Sequence, residues 1–490
     1  MSDLSLTARM ARSLGEVPQA EWDALAGSGN PFLSHAFLTA LEDSGSTGPG
    51  TGWSPAPILL EADGGTLLGA LPAYLKEHSQ GEYVFDHGWA DAWQRAGGSY
   101  YPKLQISVPF TPATGPRLLL ADAGFAPALL SAAEQLCTRF GLSSAHATFI
   151  EPAQLPLFEQ AGWLLRSDIQ FHWENRGYES FEDFLAALSS RKRKAIRKER
   201  AKAQEGIEIV ALSGAQIRPE HWDAFWTFYQ DTGARKWGTP YLTRAAFDLL
   251  GERLGDKVLL LLALEDGAPI AGALNFLGEE ALYGRYWGCT VDKPFLHFEL
   301  CYYRAIEEAI MRGLGRVEAG AQGGHKLARG YEPVATWSAH WIADPGFRSA
   351  VADFLARQEP QGNGPAAMDP LNIGAAFMEM THRMMADPAK LVQAQMTLWQ
   401  DYMRLWQTTA QRMMGQEAEP VAAPDRGDRR FKHPEWDENE LFDFVKQSYL
   451  LTARWMQSTV KEVEGLDDKT AQKVDFYTRQ FVDAMAPSNF

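Results

Sequence analysis

The chain has 490 residues, 46% apolar and 12% aromatic, with 62 acidic against 46 basic side chains and a formal net charge of −16. That length exceeds one ordinary domain, and the apolar content excludes the low-hydrophobicity, high-charge regime of disorder. The acidity excludes a general nucleic-acid coat, whose non-specific binding rests on distributed Lys and Arg, so any polyanion has to be met locally.

The amino terminus, MSDLSLTARMARSLGEV, lacks the apolar core of a secretory signal, and no window approaches the roughly 18 apolar residues of a membrane span. Cys137, Cys289 and Cys301 are too scattered for a disulfide framework or a Cys-x-x-Cys clamp, so no metal is expected. A soluble, unexported, cytoplasmic protein follows.

Further along, Asp63-Gly64, four residues and Gly69-Ala70-Leu71 recur as Asp266-Gly267, four residues and Gly272-Ala273-Leu274. Apolar runs flank both Asp-Gly pairs, the pattern of a hairpin turned at Asp-Gly, which predicts a duplicated strand-turn-strand element. Each copy later reaches a Gly-aromatic pair, FEQAGW at Trp163 and HKLARGY at Tyr331. Two mixed α/β units are predicted, residues 1–165 and 166–358.

At the start of the second unit, Ser180 and Asp183 make a capping box, and Phe181, Phe184, Leu185 and Leu188 form an i, i+3, i+4, i+7 stripe. One helix is predicted from Ser180 through the run RKRKAIRKERAK, with Ala195 and Ile196 continuing its buried side. Between Arg191 and Lys202 stand eight basic residues and one acid, Glu199, a local charge of +7 that leaves −23 for the rest of the chain. Arg193, Arg197 and Arg200 share one helical face and Lys194, Lys198 and Lys202 the next. A like-charged ridge repels itself by a few tenths of a kcal/mol per i,i+4 pair. Its counter-anion is either an acidic surface of the same chain or a phosphate-bearing carrier, for which Arg191, Arg193, Lys194, Arg197 and Lys198 are the candidate contacts; the alternative is a solvated face that serves solubility.

DTGARKWGTPYL then places Arg235, Lys236 and Trp237 in a Gly-flanked loop, either a substrate contact or a Trp-anchored surface turn. KVLLLLALEDGAPIAGALNFLGEEALYGRYWGC reads as a three-stranded antiparallel meander carrying Asn275, Tyr283, Arg285 and Tyr286. HFELCYYRAIEEAIMRGLG is helical, and RVEAGAQGG gives a strand running into a glycine-rich loop. Residues 359–368 form a linker, and 11 of the 14 methionines lie from Met368 onward. Asp387-Pro388 and Gly415 bracket a helix with Val392, Trp399, Met403, Trp406, Ala410 and Met413 on one side and Leu391, Leu398, Tyr402 and Leu405 beside them. Residues 369–490 are predicted to be all helix. The broad apolar face suits a partner surface or a bundle core.

FHWENRGYESFEDFLAALSSRKRKAIRKERAK and EAGAQGGHKLARGYEPV, within a duplicated α/β unit, resemble the FemAB-like branch of the GNAT acyltransferase superfamily over residues 8–358. The resemblance implies two GNAT-like folds in tandem and transfer of an activated acyl or aminoacyl unit to an amine. It makes Glu318 a candidate base and His325 a candidate proton shuttle, with Lys326, Arg329, Tyr331, Asn275 and Arg285 as substrate contacts; structural roles remain open for the Glu and the His. No bound cofactor is implied, only acyl-CoA or aminoacyl-tRNA as donor. The R/Q-x-x-G-x-G/A loop by which acetyl-CoA-using members cradle pyrophosphate is missing from VDKPFLHFEL, and RKWGTP fails at its last position, which favours aminoacyl-tRNA or an unusual acyl carrier.

From DPLNIGAAFMEMTHRMMADPAKLVQAQMTLWQDYMRLWQ to KVDFYTRQFVDAMAPSNF the chain resembles the amino-terminal region of class I polyhydroxyalkanoate synthases. None of the three cysteines stands in the lipase-box-like G-x-C-x-G of their catalytic domain, so polymerase activity is not expected of this chain alone. The resemblance implies association with hydroxyalkanoate granules or a synthase, and oligomerisation through these helices. Three readings result: a granule-tethered N-acyltransferase, a non-catalytic granule-associated binding protein, and a truncated or fused product of two genes.

Overall fold

The computed structural model describes residues 5–84, 86–235, 240–320, 325–358, 388–413, 418–424, 431, 434–461 and positions 474, 475, 478 and 482. Contacts divide the chain into two compact units, residues 1–358 and 359–490.

The first unit is mixed α/β. Its strands are β1 (Leu6–Met10), β2 (Trp53–Pro55), β3 (Ile58–Ala62), β4 (Leu67–Leu71), β5 (Ala73–Lys76), β6 (Lys103–Ile106), β7 (Leu119–Leu120), β8 (Ser144–Thr148), β9 (Leu164–Glu174), β10 (Ile207–Ser213), β11 (Val258–Glu265), β12 (Ala268–Leu277), β13 (Ala281–Cys289), β14 (Arg316–Glu318) and β15 (Glu332–Ile342). Eleven of them make one sheet in the order β10-β11-β12-β13-β14-β9-β15-β8-β6-β5-β2, and β1-β3-β4-β7 make a second. Both Asp-Gly motifs turn antiparallel hairpins, β3–β4 and β11–β12, but in different sheets. Asp266 and Gly267 both have positive φ, 51° and 78°, the geometry whose twist matches paired strands. Residues 258–263 of β11 are buried on both faces, which explains why VLLLLA is a continuous apolar run rather than an alternating one.

The helices that matter below are α1 (Phe181–Ala187), α2 (Ser190–Ala203), α3 (Pro219–Arg235), α4 (Arg304–Met311) and α5 (His325–Ala328), with a π-helical turn, Glu299–Tyr303, running directly into α4. The single helix expected from Ser180 is two. Ser180 caps α1 through the Asp183 amide at 3.1 Å, but Leu188 is extended, with ψ 158°, and Ser189 caps a new helix through the Lys192 amide. Ser189 offers the backbone a second start, and the break buries Phe181, Phe184 and Leu185 independently of the basic run. Of the two residues expected to continue the buried side of α2, Ile196 is buried and Ala195 is exposed.

In the second unit, α6 (Pro388–Met413) packs against α7 (Glu440–Lys461). Leu405 is buried between them, and the Tyr402 hydroxyl reaches the Thr452 hydroxyl at 2.8 Å. Met396, Trp399, Met403 and Trp406 stay exposed, so the broad face divides into a packed and an open side. Asp387, Gly415 and the segment 359–387 lie outside the described residues. Among the described residues no helix is long and apolar enough to cross a membrane.

Candidate functional site

The pairing of β12 with β13 slips in mid-strand: Leu274 faces Tyr286, but Asn275 faces Gly284, leaving Arg285 as the extra residue of a β-bulge. Bulges bend a strand and re-aim a side chain. At this point a cavity of about 470 Å³ opens, walled by Tyr229, Tyr241, Tyr286, Trp287 and Tyr302 and bordered by Tyr83, Asn275, Arg285, His297, Cys301 and Ala319. Arg285 Nη2 donates to the Phe110 carbonyl at 2.5 Å, its guanidinium lies 5.4 Å from the Tyr286 ring, and its buried Nε has no acceptor among the described residues. Phe110 and Tyr83 both adopt the left-handed backbone, φ 57° and 59°. Such strain costs about 1–3 kcal/mol per residue and persists where the surroundings over-determine it.

What holds Tyr83 is a buried charge network on its own loop and the strands beside it. Lys103, fully buried, donates to Glu82 at 2.7 Å, to Ser79 at 2.9 Å and to Asp86. Lys76, also buried, lies 3.8 Å over the Trp53 ring and 3.9 Å from Glu82. Burial pulls Asp86 upward, but Lys103 outweighs it and holds the carboxyl below the usual range. Burial pushes Glu82 up to about 7 and Lys76 down to about 7.

The structure brings together part of the predicted site. Asn275 and Arg285 border the cavity; the Asn275 amide donates to the Ala273 and Leu259 carbonyls. Glu318 ends β14 one residue before Ala319. Its carboxylate is 4% exposed and turns to Arg316 Nε at 2.9 Å, while the other oxygen, 3.8 Å from His172 Nε2, lacks a hydrogen bond among the described residues. Burial raises its pKa, opposed by Arg316 and Arg285. Burial, with the charges of Arg316 and Lys326, pushes His172 down to about 4, so it is neutral at pH 7. Lys326 is buried and donates to the Ala319 and Gly320 carbonyls at 2.6 and 2.8 Å; burial lowers it to about 8. The Tyr331 ring meets Tyr302 edge-on at 5.5 Å, and its buried hydroxyl has no hydrogen-bond partner among the described residues.

Arg329 is engaged elsewhere, paired with Glu199 at 2.8 Å and stacked 3.5 Å from the Phe298 ring centre. Lys236, Trp237 and the side chains of Arg235 and His325 lie outside the described residues. Sequence reading missed His297, Cys301 and Tyr302, which the π-helical turn and the residues just before it bring to the cavity, and the rings Tyr83, Tyr229 and Tyr241. HFELCYY carried the first three, but helical spacing alone does not reveal a π turn, a feature that recurs at functional sites.

The basic helix resolves into two faces. Three of its four arginines contact the protein: Arg200 grips buried Glu299 through Nε and Nη2 at 2.9–3.1 Å and Glu307 at 3.0 Å, Arg197 pairs with Glu182, and Arg193 donates to the Ala186 carbonyl. Among the described residues Arg191, Lys194 and Lys198 make no ion pair, are exposed, and stand at i, i+3 and i+7 on one stripe.

Comparison with known proteins finds two matches on separate stretches. A family model for peptidoglycan biosynthesis/recognition, FemAB-like, matches residues 13–370, and one for the poly-beta-hydroxybutyrate polymerase (PhaC) N-terminus matches residues 427–490. A poly(3-hydroxyalkanoate) polymerase of Methylorubrum extorquens is 38% identical over 180 residues, 35% of this chain and 29% of that protein. The poly(3-hydroxyalkanoate) polymerase subunit PhaC of Rhizobium meliloti is 33% identical over 142 residues, 29% of this chain and 23% of that protein. The chain thus spans under a third of the length of these curated relatives. Among solved structures, FemX is similar at 12% identity and a TM-score of 0.45, covering 69% of this chain and 98% of its own.

Proposed function

This chain belongs to the FemAB-like peptidoglycan biosynthesis/recognition family, and from that premise we propose that it transfers an acyl or aminoacyl group to an amine in the aromatic cavity. The observation that carries this reading is the bulge that sets Arg285 at the cavity with a buried N–H lacking an acceptor among the described residues. A buried donor without a partner is costly, and a substrate oxygen would satisfy it. In the reaction the amine nitrogen bonds to the donor carbonyl carbon, the bond from that carbon to the carrier breaks, and the amine proton leaves with the carrier oxygen or sulfur. His297 borders the cavity and is the side chain suited to relay that proton. Glu318, neighbour to Ala319, acts as a positioning residue through Arg316 and His172.

The donor carrier lies on Arg191, Lys194 and Lys198, with Arg193 and Arg197 beside them. An aminoacyl-tRNA fits better than acyl-CoA, because the pyrophosphate loop is missing from the sequence. The carboxy-terminal region, similar to a polymerase amino terminus, serves to bind hydroxyalkanoate granules or a synthase.

The test is a transfer assay of the full chain with panels of aminoacyl-tRNAs and acyl-CoAs against amine acceptors. Arg285→Ala should lower kcat/KM by about a hundredfold, the scale of one lost transition-state donor. Transfer unaffected by Arg285→Ala would refute the site. No transfer with any donor, alongside intact granule binding, would favour the non-catalytic reading.

A further inference from the structure

The eleven-stranded sheet ends differently on its two sides. At one edge β2 has three residues and stops at Pro55, which has no N–H to offer a further strand. At the other edge β10 runs for seven residues, with no Lys, no Pro and no bulge in its pairing with β11. Short strands, Pro, Lys and bulges are the devices by which proteins blunt a sheet edge, and β10 carries none of them. Every residue of β10 is at least partly exposed, whereas residues 258–263 of β11 beside it are buried.

The hydrogen bonds show which backbone groups of β10 face outward. The Ile207 amide donates to the Gln204 carbonyl at 3.2 Å and the Ser213 amide to Gln216 Oε1 at 3.1 Å, so the odd-numbered residues turn away from β11 and the even-numbered ones make the ladder. Between those two ends the N–H and C=O groups of Ile209 and Ala211 point outward and have no partner among the described residues. A two-fold axis at Val210 satisfies all of them, because Ile209 of each copy then exchanges both bonds with Ala211 of the other.

The same register sets Val210 opposite itself and Glu208, the one charged residue of β10, opposite Leu212 rather than opposite another Glu208. Val210 and Leu212 wall a groove of about 680 Å³ together with Leu262, Leu264, Arg218 and His221. Arg218 gives Nε to exposed Glu220 at 2.8 Å and keeps its other guanidinium N–H groups, and His221 Nδ1 accepts the Arg218 amide at 3.1 Å, which leaves Nε2–H as a donor. Glu208 is exposed and makes no ion pair among the described residues. Glu208 of a second copy therefore arrives beside Arg218 and His221, twice by symmetry.

We propose that β10 pairs antiparallel with β10 of a second copy about a two-fold axis at Val210, joining the eleven-stranded sheets of two chains. Such an interface is self-complementary and closed, so it consumes the open edge without polymerising. A foreign strand would satisfy the same backbone groups but would have to bring its own acid to Arg218; a second copy already carries one in register.

Val210→Cys tests the register in the full chain. Non-hydrogen-bonded partners in an antiparallel pair stand about 4.5 Å apart at Cα, within the roughly 4.4–6.8 Å that a disulfide spans. In an oxidised-glutathione buffer Val210→Cys should link into a disulfide dimer, while Glu208→Cys and Leu212→Cys should each stay unlinked alone and link when mixed. The unsubstituted chain, with Cys137 buried and Cys289 and Cys301 half-buried, supplies the background. Ala211→Pro removes one outward N–H and no ladder bond, a place where an edge strand tolerates Pro, and should halve the particle mass measured by light scattering with the circular dichroism unchanged. If Ala211→Pro unfolds, the mixture of Glu208→Cys and Leu212→Cys decides. A monomeric wild type, an unlinked Val210→Cys, or a folded Ala211→Pro particle of unchanged mass overturns the pairing. Release of a different protein by Ala211→Pro gives the edge another occupant and overturns it as well.

Discussion

Lys103→Met removes the cation shared by Glu82 and Asp86 while keeping the methylene stem. Both carboxylates are buried, and one oxygen of each lacks a hydrogen bond among the described residues. Deleting one partner of a buried ion pair costs about 3–5 kcal/mol. An independent route gives the same size. Deprived of Lys103, Asp86 stays buried by taking up a proton, and at pH 7 this costs about 1.4 kcal/mol for each of the roughly three pH units above an ordinary aspartate pKa, about 4 kcal/mol. The sign with pH separates this from simple loss of packing. In the wild type the depressed Asp86 contributes stability above its unfolded pKa that is lost as pH falls through its folded value. In the variant the group is raised instead, so lowering the pH relieves it; at pH 5 the proton costs only about 1.5 kcal/mol. Urea unfolding followed by tryptophan fluorescence should therefore show a deficit near 4 kcal/mol at pH 7 shrinking to about 1.5 kcal/mol at pH 5. Because Glu82 and Asp86 flank Tyr83, acceptor KM should rise more than kcat falls. A deficit below about 1 kcal/mol at pH 7, or one that ignores pH, would refute the reasoning.

Reversing Arg191, Lys194 and Lys198 to Glu should leave urea stability within about 0.5 kcal/mol, as exposed substitutions do, and should weaken RNA binding. Three phosphate contacts on a single strand give a slope of about −2 in log affinity against log salt, which the triple variant should lose; an unchanged slope counts against the stripe. Lys326→Met probes the buried ammonium. Its folded pKa, about 8, lies below the unfolded value, so the wild type should gain about 1–3 kcal/mol on the variant between pH 7 and pH 10, and a flat difference would show the ammonium to be unperturbed. Deleting residues 368–490 should release the protein from hydroxyalkanoate granules in a co-sedimentation assay, and retention of the shortened chain would exclude the tether.

The elements that sequence reading reached are those written locally. Asp-Gly between apolar runs gave both hairpins, and the three runs from Val258 to Cys289 gave the meander, because turn chemistry and short apolar runs bounded by turns act over a few residues. The break at Leu188 was hidden because Phe181 to Leu188 satisfies one helical period as well as two, and only the choice of cap at Ser189 ends it. The bulge at Arg285 is a mismatch between two strands and leaves no mark in either alone. Lys76 and Lys103 sit in strands where a charge reads as solvent-facing, yet both are buried because Glu82 and Asp86 arrive from a loop to meet them. The site is legible where single residues carry it, at Asn275 and Arg285, and illegible where long-range packing assembles it, at Tyr83, Tyr229 and His297.

The same distinction answers why so acidic a chain gathers +7 into twelve residues. Spacing put arginines and lysines on adjoining faces but could not say which face met acid. Arg200 finds Glu299, which is wholly buried, so its face belongs to the fold and anchors the π-helical turn that carries Cys301 and Tyr302 to the cavity. With Arg197 and Arg200 paired to acids, the field outside α2 is set by Arg191, Lys192, Arg193, Lys194 and Lys198, of which Arg191, Lys194 and Lys198 form one stripe. At physiological ionic strength the screening length is about 8 Å, so acidic groups elsewhere on the surface do little to cancel a three-cation stripe spaced along one helix. An overall charge of −16 and a local polyanion site are therefore compatible.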